Sequence, residues 1–185
     1  MVPRRFLSAV RLEAAALTVA AALLASGCAP TAVPLATYLA ATPEDAAVLA
    51  PLEAITEGVR TRDVDRILGA YADDARAANF AAVFTRPLFI QPTAALTLTR
   101  AELGGVYRKE FQESRATSVR FYDPGVQRAD GEATVTARDR VTRVDQLWRS
   151  RRVLYTAEAV YRLRREAGGW RIVEDRHDLR GYSVF

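Results

Sequence analysis

The chain has 185 residues, a formal net charge of +4 and a hydrophobic fraction of 50%, which suits one globular domain with its own core. One cysteine and one histidine exclude an internal disulfide and the cysteine–histidine sets that hold structural zinc. So little net charge also leaves no electrostatic footprint for nucleic acid.

Arg4, Arg5 and Arg11 precede an apolar stretch over residues 14–25, in which Thr18 is the only polar residue. The stretch is shorter than the roughly 20 residues that span a bilayer, and Glu13 sits at its start, so a permanent membrane helix is disfavoured. A basic start, an apolar centre and small residues after it are the parts of a secretory signal. The closing run Leu24-Ala25-Ser26-Gly27-Cys28 resembles the lipobox of bacterial lipoproteins. That resemblance implies that the Cys28 thiol carries diacylglycerol, that the chain is cut before it, and that the new amine is acylated. Several acyl chains on one residue anchor firmly, at about 0.8 kcal/mol per buried methylene. The expected organisation is a signal peptide over residues 1–27, a lipidated cysteine and flexible tether over 28–41, and a folded domain over 42–185. The expected location is the cell envelope, lipid-anchored to the membrane. In a Gram-negative cell Ala29, where retained lipoproteins often carry aspartate, points to the outer membrane facing the periplasm. Removing residues 1–27 leaves 158 residues with a net charge of about +2.

The tether is rich in Ala, Thr and Pro. Thr42-Pro43-Glu44-Asp45 then opens a helix: a capping hydroxyl, a proline suited to the first turn, and acids at the positive end of the helix dipole. Val48, Leu52, Ile55 and Val59 form one apolar stripe, with Pro51 as a kink or a delayed start. Asp63 is the cap of a second, shorter helix with the stripe Val64, Ile67, Leu68 and Tyr71, ended in solvent by Asp73-Asp74. Phe80, Val83, Phe84, Leu88, Phe89 and Ile90 suggest short strands broken at Pro87 and Pro92. Thr99 and Glu102 have capping-box spacing, so a third helix runs to about Gln112 with Leu103, Val106, Tyr107 and Phe111 inward. Gly104-Gly105 within it lets a sheet come close. Alternating patterns then predict strands over residues 117–121 and 132–144, another around 157–164, and a last one from Trp170 after the turn Gly168-Gly169. Helices first and antiparallel strands last define an α+β fold.

Two segments carry a family resemblance. Residues 55–75, ending in Tyr71-Ala72-Asp73-Asp74, resemble the opening of SnoaL-like members of the nuclear-transport-factor-2-like superfamily. Gly168-Gly169-Trp170-Arg171-Ile172-Val173 is similar to the closing hairpin of the same family. The resemblance implies a curved antiparallel sheet wrapped around N-terminal helices, the cystatin-like cone. It also implies a pocket at the open end of the cone and, in many members, a homodimer formed through the sheet. Members use the pocket for isomerisation, hydrolysis, cyclisation or dehydration, or for binding alone, so function rests on particular side chains.

The densest titratable cluster is Glu174-Asp175-Arg176-His177-Asp178. On a regular strand Asp175 and His177 share one face, and Glu174 and Arg176 the other. If Trp170 and Ile172 face the core, Glu174 follows them inward; if Val173 does, His177 is inward. Asp139 lies in an alternating run with Arg138 and Arg140 that an ion-paired outer sheet face would explain. Tyr71 belongs to the core, with a hydroxyl able to reach the cone. Asp63 and Asp65 read as helix-capping acids. Trp148 with Arg149, Arg151 and Arg152 forms a basic aromatic loop, either a solvated hairpin tip or a surface suited to acidic lipid headgroups or a cell-wall polymer. No nucleophile motif, phosphate loop or metal motif is present, so neither cofactor nor metal is expected. The leading expectation is binding of a small apolar ligand or an envelope protein without catalysis. The alternative is a cofactor-independent lyase, isomerase or hydrolase using Tyr71, Asp139, Glu174, Asp175 and His177.

Overall fold

The computed structural model describes residues 31–78, 97–145 and 152–184. Helix α1 (Pro43–Thr61) opens as its sequence dictates, with the Thr42 hydroxyl accepting from the Asp45 N–H and both acids in the first turn. The helix continues through the buried Pro51, which neither delays nor ends it. Val48, Leu52, Ile55 and Val59 are buried along one stripe. Arg62, at φ 61°, reverses the chain, and Asp63 caps α2 (Val64–Leu68) by accepting from the Arg66 N–H. Gly58 marks the crossing of the two helices, because a Cβ there would lie 2.5 Å from Ile67 Cγ1.

Tyr71 does not extend the second helix, as its place on the apolar stripe had suggested. It opens strand β1 (Tyr71–Ala78), which lies parallel to the last strand with Tyr71 opposite Ile172. Pairing with a distant strand overrides the local helical period, and Ala72, Ala75 and Ala77 bury beside it. Asp73 and Asp74 stay in solvent, paired with Arg100 and Arg164. Strand β2 (Thr97–Thr99) leads into α3 (Arg100–Glu113), whose capping box between Thr99 and Glu102 is complete. Gly104 admits a helix rather than a sheet: its Cβ would lie 2.9 Å from Leu68 Cδ1 of α2.

Four long antiparallel strands follow: β3 (Ser114–Ala129), β4 (Glu132–Asp145), β5 (Arg152–Glu166) and β6 (Gly169–Val184). Among the described residues the sheet has the order β2-β1-β6-β5-β4-β3, curved and unclosed, and α1 packs against β3, β4 and β6. Strand β3 runs past its expected end because Asp123-Pro124 is absorbed as a bulge, after which pairing resumes at Gly125 opposite Thr136. Asp130 and Gly131, at φ 40° and 85°, make the tight turn into β4.

The compact unit begins at Val33, not at α1. Val33 donates to Asp123 Oδ1 at 2.7 Å and accepts from the Asp123 N–H at 2.8 Å, and Leu35 is buried. The last part of the expected tether is therefore docked on the domain. Cys28, the apolar residues between Phe80 and Ile90, and Trp148, Arg149 and Arg151 lie outside the described residues.

Candidate active site

Strand β6 holds the decisive irregularity. Trp170 and Ile172 face the core, yet so do Asp175 and His177. A regular strand forbids this, because successive side chains alternate. The register explains it: Leu163 of β5 faces Ile172, but Arg162 faces Glu174, so Val173 has no counterpart. This bulge resets the alternation and sends Asp175 and His177 inward. Glu174 is turned outward and pairs with Arg162 at 3.3 Å, so it does not join the site. Strand β4 delivers Asp139 inward, while Arg138 and Arg140 remain exposed.

His177 stands between two carboxylates. Its Nδ1 lies 3.2 Å from Asp139 Oδ2, and its Nε2 lies 2.5 Å from Asp175 Oδ1. Each carboxylate also accepts from a tyrosine: Tyr161 donates to Asp139 Oδ2 at 2.6 Å, and Tyr71 donates to Asp175 Oδ2 at 2.7 Å. Asp139, Asp175 and His177 are 2%, 0% and 5% exposed. Asp139 Oδ1 has no hydrogen-bond partner among the described residues. The Tyr161 ring meets the imidazole edge to face at 5.9 Å.

Neutral imidazole has one N–H, so two carboxylates facing its two nitrogens call for the doubly protonated cation. Burial opposes charge on His177, but the carboxylates of Asp175 and Asp139 outweigh it and raise its pKa to about 10. Burial raises Asp139 above the ordinary carboxylate value, against the opposing pull of His177 and Tyr161. Burial, reinforced by the nearby carboxylates, also pushes Tyr71, Tyr107 and Tyr161 well above the usual phenol value, so all three remain donors. The cluster, with Ile55, Tyr107, Val119, Phe121 and Val141, encloses a void of about 10 Å³, on the order of one water.

Four of the five residues singled out in the sequence thus meet in one place: Tyr71, Asp139, Asp175 and His177. Sequence reading placed Tyr107 inward on its helix and did not single out Tyr161, and so missed both as site residues. Their signal was the two-residue period on β5 and the helical stripe on α3, which fix an inward face without showing what the hydroxyl meets. Among the described residues no group of three or more His, Cys, Asp or Glu side chains is arranged to hold a metal ion.

A curved antiparallel sheet packed on N-terminal helices sets the class by its fold. Residues 43–176 match the model of the SnoaL-like domain, and the chain belongs to that family. Comparison with curated proteins gives no match. A candidate aromatic ring hydroxylase from Novosphingobium aromaticivorans is similar in structure, with TM-score 0.63, 16% identity, and coverage of 77% of this chain and 93% of that one. A candidate scytalone dehydratase from the same organism gives TM-score 0.62 and 10% identity over 76% and 86% of the two chains. A hexachlorocyclohexane dehydrochlorinase from Novosphingobium barchaimii gives 0.58 and 11% over 76% and 88%. At these identities the likeness is one of fold.

Proposed function

We propose that the domain is a cofactor-independent acid–base enzyme that eliminates a small leaving group from an apolar or amphipathic organic molecule. The observation that carries this reading is the placement of both His177 ring nitrogens against buried carboxylates. An apolar core of similar volume would be at least as stable as such a cluster, so folding alone gives little reason to keep it. Strongly shifted groups meeting beside a void are a signature of catalytic sites. In the elimination Asp139, through Oδ1, takes a proton from carbon as the carbon–carbon double bond forms. Asp139 then hands that proton to the departing hydroxyl, which leaves as water, and the carboxylate is restored. The His177 cation, with both N–H groups on carboxylates, keeps its protons and holds Asp139 in place 3.2 Å away. Tyr71 and Tyr161 hold the carboxylates in place. Two of the structural neighbours carry the names of elimination enzymes, which agrees with this reading.

Ligand binding without chemistry is the second reading, favoured by a separate cavity of about 680 Å³ whose lining includes none of Tyr71, Asp139, Asp175 and His177. A panel of hydroxylated and chlorinated ring compounds, incubated with the full chain and followed by mass spectrometry for loss of water or hydrogen chloride, separates the two. Elimination predicts a converted compound, with Asp139→Asn and His177→Asn each slowing conversion by about a hundredfold or more. A compound retained unchanged by the wild type and both variants would establish binding instead.

The N-terminal pattern supports a second proposal, that Cys28 is lipidated and tethers the domain to the cell envelope. Cys28→Ser is expected to move the protein from the membrane fraction to the soluble fraction, and wild-type protein is expected to begin at an acylated cysteine. A variant that stays in the membrane would overturn the anchor.

A further inference from the structure

A second, much larger cavity opens beside the buried cluster. It measures about 680 Å³, within the range of small-molecule sites. Its walls come from the docked segment (Pro34, Leu35), from α1 (Ala50, Ala54) and from β3, with Glu53 and Arg120 adding charge. Phe121 of β3 lines this cavity and also the inner void. Neighbouring residues of α1 repeat the pattern, Thr56 lining the outer space and Ile55 the inner one. The Phe121 ring is 2% exposed and packs edge to face on Tyr161 at 5.9 Å, and Tyr161 in turn holds Asp139.

We infer that the outer cavity is the entrance and binding vestibule for an amphipathic organic molecule, and that Phe121 is the gate between it and the Asp139–His177–Asp175 cluster. This inference rests on the reading of that cluster as a site that meets a ligand. A void the size of one water admits no organic molecule, so a ligand needs a wall that moves. Phe121 is common to the linings of both spaces, so a turn of its ring would join them without parting the sheet. The vestibule suits an apolar body by its alanines, proline and leucine, and a polar end by its charged residues. Displacing the ring also frees the edge of Tyr161, so entry of a ligand and loosening of the Tyr161–Asp139 contact are one event. Phe121 is thus a positioning residue as well as a gate.

The single histidine makes a direct test available. Diethyl pyrocarbonate adds to neutral imidazole, so the adduct mapped to His177 by peptide mass spectrometry, in mildly alkaline buffer, reports access to it. In the full-length protein at one fixed pH, Phe121→Ala is expected to speed adduct formation by about tenfold or more. Phe121→Leu, shorter but still apolar, does the same to a lesser degree and serves if the alanine variant folds poorly. Adding Ala54→Trp, which fills the vestibule, returns the rate to the wild-type level. Val135→Ala removes core volume lining neither space and leaves the rate unchanged. The gate is refuted if the Phe121 variants react at the wild-type rate, if Val135→Ala accelerates equally, or if Ala54→Trp does not slow them. Modification needs no turnover, so a working gate in a protein that converts no compound in the panel would refute catalysis alone.

Discussion

His177→Leu is expected to destabilise the domain by about 3–5 kcal/mol near neutral pH, although the substitution is apolar and enters a buried position. The reason lies with the partners. Asp139 and Asp175 are almost wholly buried, and the imidazolium is the cation that both face. Removing it leaves two carboxylates to repel one another in a poorly polarisable core. Tyr161 and Tyr71 supply each with one hydrogen bond but no charge. Urea unfolding with wild type and variant side by side measures the loss. The loss should shrink in mild acid, where the stranded carboxylates take up protons and no longer repel. Adding Asp139→Asn and Asp175→Asn to His177→Leu should recover most of it, because the amides still accept from the tyrosines and carry no charge. If the triple variant is as stable as wild type yet cannot convert a substrate, the cluster serves chemistry and not folding. A neutral effect of His177→Leu alone would show that the imidazole is not the counter-ion of this site.

Much of the fold could be read directly from the residues. Thr42, Asp63 and Thr99 each announce a helix start by a local side-chain contact with the backbone, and local contacts are what a sequence records. The alternation on β4 and β5 likewise follows from burial of one sheet face. The misreadings share a cause. Tyr71 sits at helical spacing after Leu68, but its conformation is decided by β6, about a hundred residues away. The same strand decides the site. By strict alternation either Ile172 or His177 could face inward, not both. The bulge at Val173 removes that choice, and it is created by pairing with β5, which no periodicity within β6 reveals. Glu174 became a candidate on the same false premise of a regular strand. Asp139 was legible as a candidate, but its inward face was not, because an ion-paired outer face gives the same alternation of Arg and Asp. What a sequence withholds here is the meeting of β1, β4, β5 and β6 at one point.

The pH dependence of stability is the second large effect, and its sign follows from His177. Its pKa is about 10 in the folded protein against 6.5 for an ordinary imidazole, so the folded state holds this proton more tightly than the unfolded chain. The stabilisation is fully present below the ordinary value. It is lost progressively as pH rises through the folded value, because the unfolded chain has already released the proton and the folded state must then do so too. Stability is therefore expected to fall between roughly pH 6.5 and 10, by a few kcal/mol at most. Other groups act outside this window. Asp139, raised by burial, makes folding less favourable as pH climbs through the carboxylate range, whereas Asp45, Glu57, Asp74 and Glu102 are held low by hydrogen bonds and act in the opposite sense. Tyr71, Tyr107 and Tyr161, raised well above the phenol value, lose their contribution only above about pH 10. Urea midpoints taken across this range should thus decline steadily for wild type and stay nearly flat for His177→Asn until the tyrosines begin to titrate. Equal declines for the two proteins would assign the alkaline loss to other groups and remove the imidazolium from the centre of the site.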